Sequence, residues 1–139
     1  MRILQLFFLL SIVLLTSCSK SNPTSATQSK LVGKWTLKSF TAKDFLGSQP
    51  RTTSGNYKPG EYIQMEADGT CYFRVDDAVT KTTWKLLNND KTLFFENAGN
   101  LDVAEAGYEI ADLDNNHLEL YAQEGTGQNK AEVTIRLEK

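Results

Sequence analysis

The amino-acid sequence predicts an all-β fold, an eight-stranded antiparallel up-and-down barrel behind an N-terminal signal peptide. Three observations predict it. Beyond residue 30, apolar and polar residues alternate with a period of two, as in strands with one buried face. Clusters of Asp, Asn and Gly break that alternation at short intervals, where tight turns belong. No stretch keeps a 3.6-residue apolar period, so no core helix is expected.

The strands follow in order. Residues 31–38 form the first, with Trp35 and Leu37 on one face. Residues 61–66 form the second, with Ile63 and Met65 inward. Asp68-Gly69 turns the chain tightly, because Gly accepts positive φ without steric cost. Residues 70–75 return with Cys71, Phe73 and Val75 aligned, and Asp76-Asp77 turn again. Residues 79–87 bring Thr82, Trp84 and Leu86 together. Asn88-Asn89-Asp90-Lys91 is the next turn, and residues 92–96 then pair Leu93 with Phe95. Residues 108–113 are the sixth strand, and Asp114-Asn115-Asn116 lead into the seventh, 117–123, where Leu118, Leu120 and Ala122 align. Glu124-Gly125-Thr126-Gly127 make the last turn before residues 131–137, with Val133, Ile135 and Leu137 on one face. Short connections force antiparallel neighbours. Closing eight such strands removes the edges that would template aggregation. A β-sandwich is the competing architecture.

The first twenty residues have a different character. Met1-Arg2 carries one positive charge, and residues 3–15 are apolar except for Gln5 and Ser11. That is the anatomy of a secretory signal, and it is shorter than the roughly 20 apolar residues that cross a bilayer. Leu15-Thr16-Ser17-Cys18 resembles the bacterial lipobox, in which the peptide before the cysteine is removed and the cysteine is lipidated. The resemblance implies a signal peptide at 1–17 and a lipid anchor, palmitate among its acyl chains, on Cys18. An ordinary signal peptide with an incidental cysteine is the alternative. Each buried CH₂ of such a chain contributes about 0.8 kcal/mol, so several chains anchor stably. Residues 18–30 are polar and carry Pro23, too few apolar groups to order themselves. They are expected to be a flexible tether to a barrel domain at 31–139.

Residues 18–139 number 122, enough for one domain and one core. With Arg2 gone, 14 basic residues face 17 acidic ones, a charge of −3. That argues against nucleic acid as a partner, which needs a basic stripe. Past Cys18 the longest unbroken aliphatic or aromatic run is Leu93-Phe94-Phe95, so no further membrane span is expected. Lipidation of Cys18 leaves Cys71 without a disulfide partner. Its alternating neighbours read it as a small buried hydrophobe.

The pieces Leu31-Val32-Gly33-Lys34-Trp35, Asp68-Gly69-Thr70, Trp84 and Lys91-Thr92-Leu93, in that order, resemble the small lipocalin-like lipoproteins of Bacteroidetes-type bacteria. The resemblance covers roughly residues 30–138. It implies a barrel open at one end, a small apolar ligand inside, and Trp35 packed at the closed end. The chain departs from larger lipocalins in its length, in lacking a downstream Thr-Asp-Tyr-type motif, and in lacking an obvious C-terminal helix.

Catalytic and metal chemistry have little foothold in the sequence. The single histidine, His117, has no second His or spaced Cys with which to bind zinc, and no local pattern gives it a nucleophile. No Gly-rich phosphate loop occurs. Asp112-Leu113-Asp114-Asn115-Asn116 lacks the Gly and terminal Glu of a calcium loop and reads as a polar turn. The expectation is a protein without catalytic residues, metal or cofactor.

Binding has more. Residues 41–60 lack strand character and are long for a loop, and such loops are often functional. In lipocalins the first such loop covers the barrel mouth, which would make Phe45, Leu46 and Tyr57 lid residues. A loop that simply plugs the core is the equal alternative. Residues 97–107 hold Leu101 and Val103, with room for a turn of helix. Trp35, Ile63, Met65, Phe73, Trp84, Phe95 and Leu120 are the candidate cavity residues, with Cys71, Leu86, Ile110 and Ile135 beside them. A filled core would use the same residues, since an eight-stranded barrel either packs solid or holds one small ligand. Two functions follow: sequestration of a small apolar or amphipathic ligand, or a non-enzymatic envelope module whose rim and 41–60 loop touch a protein or glycan. A monomer is the expected state. Ser19 in place of a retention Asp, and no acidic run in 19–30, point to the outer membrane, facing the periplasm.

Overall fold

The computed structural model describes residues 24–46, 49–96, 104–127 and 129–139. The expected signal peptide, Cys18, Leu101, Val103 and the side chain of Leu46 lie outside the described residues. The described chain forms α1 (Ala26–Leu31), β1 (Gly33–Leu46), β2 (Arg51–Asn56), β3 (Tyr62–Met65), β4 (Thr70–Val75), β5 (Ala78–Leu87), β6 (Thr92–Glu96), β7 (Tyr108–Leu113), β8 (His117–Thr126) and β9 (Asn129–Glu138).

All pairings are antiparallel. The order is β2-β1-β3-β4-β5-β6-β7-β8-β9, and a β1–β9 pairing closes the sheet. The fold is therefore a closed eight-stranded up-and-down barrel with β2 as one extra strand. The turns explain why neighbours pair in sequence. Asp76 and Asp77 adopt φ 49° and 64°, and Asn88, Asn89 and Asp90 adopt φ 53°, 54° and 65°. Asp and Asn tolerate this left-handed region better than other non-glycine residues, and it matches the right-handed twist of the strands it joins.

The segment expected as a loop, 41–60, is instead mostly strand. β1 runs on to Leu46, and the chain returns as β2, pairing Ser39↔Asn56 through Asp44↔Arg51. The same edge of β1 takes β3 lower down, from Gly33↔Met65 to Thr36↔Tyr62. β2 and β3 are thus two halves of one broken strand, and residues 57–61 are the break. A bulge between Leu37 and Ser39 explains why alternation did not reveal this. It adds one residue and inverts which side chains face inward. Above it the even-numbered residues Phe40, Ala42 and Asp44 take the phase that Trp35 and Leu37 hold below. Later in the chain β8 continues to Thr126, so Glu124, Gly125 and Thr126 are strand, not turn.

The expected tether also ends earlier. Residues 26–31 form a helix whose N-cap, Ser25, accepts a hydrogen bond from the Gln28 backbone N–H at 3.0 Å. A helix this short is stable only where it docks. α1 docks through Leu31, which is fully buried.

The core fills the end of the barrel beneath α1. Trp35, Leu31, Met65, Leu93, Leu118, Leu120, Leu137 and Cys71 are its most buried side chains. Phe73 meets Phe95 edge-on, with ring centroids 4.8 Å apart. The indole N–H groups are satisfied: Trp35 donates to the Leu31 carbonyl at 2.7 Å and Trp84 to the Glu66 carbonyl at 2.8 Å.

Candidate functional site

β1, β8 and β9 are 14, 10 and 10 residues long, whereas β3 and β6 have 4 and 5. The β1–β9–β8 wall therefore rises past the short strands at the end opposite α1. A cleft of about 360 Å³ lies against this wall. Phe40, Ala42 and Asp44 of β1, Ala131, Val133 and Ile135 of β9, and Ala122 and Glu124 of β8 line one side. Tyr57, Ala104 and Tyr108 close the other, and Glu132 also borders the cleft. Tyr108 forms part of the floor: its ring lies 6.3 Å from that of Phe95, at the top of the packed core.

Two contacts set the cleft's shape. The Phe40 ring lies over Gly55, its register partner on β2, where a Cβ would come within 2.8 Å of Phe40 Cε1. The absent side chain lets the ring lie against β2 and meet Tyr57 edge-on at 5.6 Å. The Glu61 carboxylate is only 6% exposed and accepts from the Lys58 N–H at 2.8 Å and the Asp76 N–H at 2.9 Å. It ties the 57–61 break to the β4–β5 turn, and so fixes Tyr57, whose own N–H donates to the Lys38 carbonyl at 3.0 Å.

Burial, then the neighbouring Tyr108 and the Glu61 carboxylate, push the Tyr57 hydroxyl up to about 12. Tyr57 therefore stays neutral at physiological pH. The Ala104 N–H donates to the Tyr108 hydroxyl at 3.4 Å, a long bond that ties the start of β7 to the segment before it. Burial likewise pushes the Cys71 thiol up to about 12, away from the reactive thiolate.

Of the sequence candidates, the structure brings Tyr57 and Ile135 to the cleft. Trp35, Ile63, Met65, Phe73, Trp84, Phe95 and Leu120 are buried in the packed core beneath it. Phe45 faces away from the cleft: past the bulge, odd residues of β1 point outward, and the Lys130 ammonium sits 4.2 Å from the Phe45 ring centroid. The cleft residues that sequence reasoning missed are chiefly Phe40, Ala42, Asp44, Tyr108 and Glu124. Tyr108 opens a strand that sequence located correctly, so its alternation with Ile110 was the available signal. Among the described residues, no group of three or more His, Cys, Asp or Glu could hold a metal ion. His117 is exposed, with Nδ1 3.1 Å from the Asp114 carboxylate. No family model matches the chain, and comparison with curated proteins and with solved structures gives no match.

Proposed function

We propose that this protein is a lipid-anchored, lipocalin-like binding protein that sequesters a small apolar or amphipathic ligand in the cleft at its open end. One observation carries the reading: a barrel packed solid at one end keeps a hollow of about 360 Å³ at the other. That volume is at the lower end of the range for small-molecule sites. Phe40, Tyr57, Val133 and Ile135 offer apolar surface, and burial against it contributes roughly 25 cal/mol per Å². Binding is the reading, and among the described residues the lining holds no His, Cys or Ser to serve as a nucleophile or its base. The anchor on Cys18 rests on the lipobox resemblance alone. Six residues separate Cys18 from Ser25, seven Cα–Cα steps and so at most about 25 Å of extended chain. α1 enters at the closed end, so the anchor would sit at the far end of the barrel from the cleft.

Titration with the neutral fluorescent probe N-phenyl-1-naphthylamine tests the site. Saturable fluorescence enhancement, weakened in Tyr57→Ala, is expected; no enhancement in folded protein overturns the reading. Cys18→Ala tests the anchor separately: the variant should leave the membrane fraction or fail to mature, and unchanged membrane fractionation with normal maturation refutes lipidation.

The packed lower barrel favours a second reading, a non-enzymatic module whose rim contacts an envelope protein or glycan. β2 supplies that rim with six polar or small residues, five of them exposed.

A further inference from the structure

We infer that the cleft selects amphipaths whose polar end is positively charged, such as alkylamines and alkylammonium compounds. This rests on the reading of the cleft as a ligand site. Among the described residues, the lining contains three carboxylates, Asp44, Glu124 and Glu132, and no Lys, Arg or His. Glu132 is already engaged, 2.7 Å from the Lys130 ammonium. The other two are not: among the described residues neither Asp44 nor Glu124 enters an ion pair.

Register places these two at the rim together. Asp44 stands opposite Ala131, and Ala131 stands opposite Glu124. The backbones of these two residues are therefore two strand spacings apart, about 10 Å, with both side chains on the same inner face. Ala131, too small to screen them, lies between. Below are the rings of Phe40, Tyr57 and Tyr108, whose faces attract a cation as well as an alkyl chain.

Three nearby cations are placed elsewhere. Lys43 lies on the outer face of β1 by alternation. Lys130 is held by Phe45 and Glu132, and Lys58 pairs with Asp76. Arg51, the register partner of Asp44 on β2, shares its face, but both are exposed and no ion pair joins them. A ligand with a cationic head completes two unpaired carboxylates, and one with a carboxylate head meets like charge. The apolar chain sets whether binding occurs, and the head sets which chain binds.

Calorimetric titration with decylamine, decanol and decanoate, below micelle formation and at low salt, tests this. Decylamine should bind about fivefold more tightly than decanol, with decanoate weakest. The preference should shrink as salt screens exposed charges. In the double variant Asp44→Asn, Glu124→Gln, the decylamine-to-decanol ratio should fall toward one. Equal binding of all three, or tightest binding of decanoate, overturns the charge preference and leaves the cleft reading standing. A ratio unchanged in the double variant overturns it too. No binding of any of the three overturns the cleft reading and this inference with it.

Discussion

The Lys139 ammonium lies 4.6 Å from the Trp35 ring centroid while donating to the Lys30 carbonyl at 2.7 Å and the Val32 carbonyl at 3.0 Å. One side chain therefore covers the indole and satisfies carbonyls at the C-terminal end of α1, as a cation there should. Gly33 makes the approach possible. Its φ is 125°, which side-chain-bearing residues rarely adopt, and a Cβ would come within 3.3 Å of Lys139 Cε. The spacing Gly33-x-Trp35 thus has a local mechanical reason: the glycine admits the lysine that seals the tryptophan.

Lys139→Ala should loosen α1 before it loosens the barrel. The loss should be about 1 kcal/mol in global stability, the scale of a partly exposed cation–π contact. The Val32 amide, which donates to the Gln28 carbonyl at 3.1 Å, should exchange its hydrogen faster, with little change at Cys71 in the core. Unchanged protection at Val32 would show that Lys139 does not hold the helix.

Glu61→Ala should be more costly. It strips the acceptor from two backbone N–H groups, Lys58 and Asp76, beside a carboxylate that is 6% exposed. Leaving such donors unsatisfied costs about 2 kcal/mol. Glu61→Gln keeps one acceptor oxygen and should fall between wild type and Ala in urea unfolding. Equal stability of all three would remove the latch from the account of how Tyr57 is placed.

Acid stability should report Asp114. Hydrogen bonds from the backbone N–H groups of Asn116 and His117, then from the His117 ring, hold its carboxyl at about 2 against a usual 3.8. A carboxylate lowered on folding stabilises above its unfolded value, and that contribution disappears as pH falls through its folded value. The share due to Asp114 should therefore be lost between pH 3.8 and about 2. Asp114→Asn, which can keep the turn, should flatten the stability curve in that window relative to wild type. Glu96, Glu132 and Glu138, lowered chiefly by Lys85, Lys130 and Lys38, leave an acid slope common to both proteins.

Legibility in the sequence followed the turns. β4, β6 and β7 begin and end at the residues that alternation and turn chemistry predicted. Asp, Asn and Gly clusters bracket each of them, and one face of each meets the core. β2 had no such signal. Arg51-Thr52-Thr53-Ser54-Gly55-Asn56 contains no large apolar residue and five of its six positions are exposed, so no period of two exists to be read. α1 was hidden for another reason: six residues are too few to show helical periodicity. Its one legible mark was Ser25 with Gln28 three residues on, the spacing of a capping box.

The candidate site was less legible than the barrel, and one residue accounts for most of the difference. The extra residue at the β1 bulge sends Phe40 inward and Phe45 outward, while unbroken alternation assigns them the reverse. The large apolar residues that sequence singles out are also the ones a barrel this narrow needs for packing. Beside Phe40, Val133 and Ile135, the cleft is left to alanines, tyrosines and rim carboxylates, which composition does not distinguish from surface.

Cys71 should resist modification. With its thiol pushed up to about 12 by burial, almost no thiolate exists at pH 8. Peptide-resolved labelling with iodoacetamide should leave Cys71 unmodified in native protein and modify it fully in urea. Rapid native labelling would place Cys71 outside the packed core.

Gly55 and Phe40 together should set the size of the cleft. A Cβ at residue 55 would meet Phe40 Cε1 and Cζ at 2.8 and 2.9 Å, closer than real contacts allow. The obstructed atoms belong to the far end of a side chain, so the ring can move where a backbone could not. Displaced from β2, the ring would move over the cleft that it already lines with Tyr57. Gly55→Ala should therefore leave the fold intact, while lowering affinity for N-phenyl-1-naphthylamine. Phe40→Ala in the same background removes the displaced ring and should restore part of that affinity. A stable Gly55→Ala protein that binds the probe as wild type does would mean that Phe40 has another place to go, and that Gly55 does not set the cleft's width.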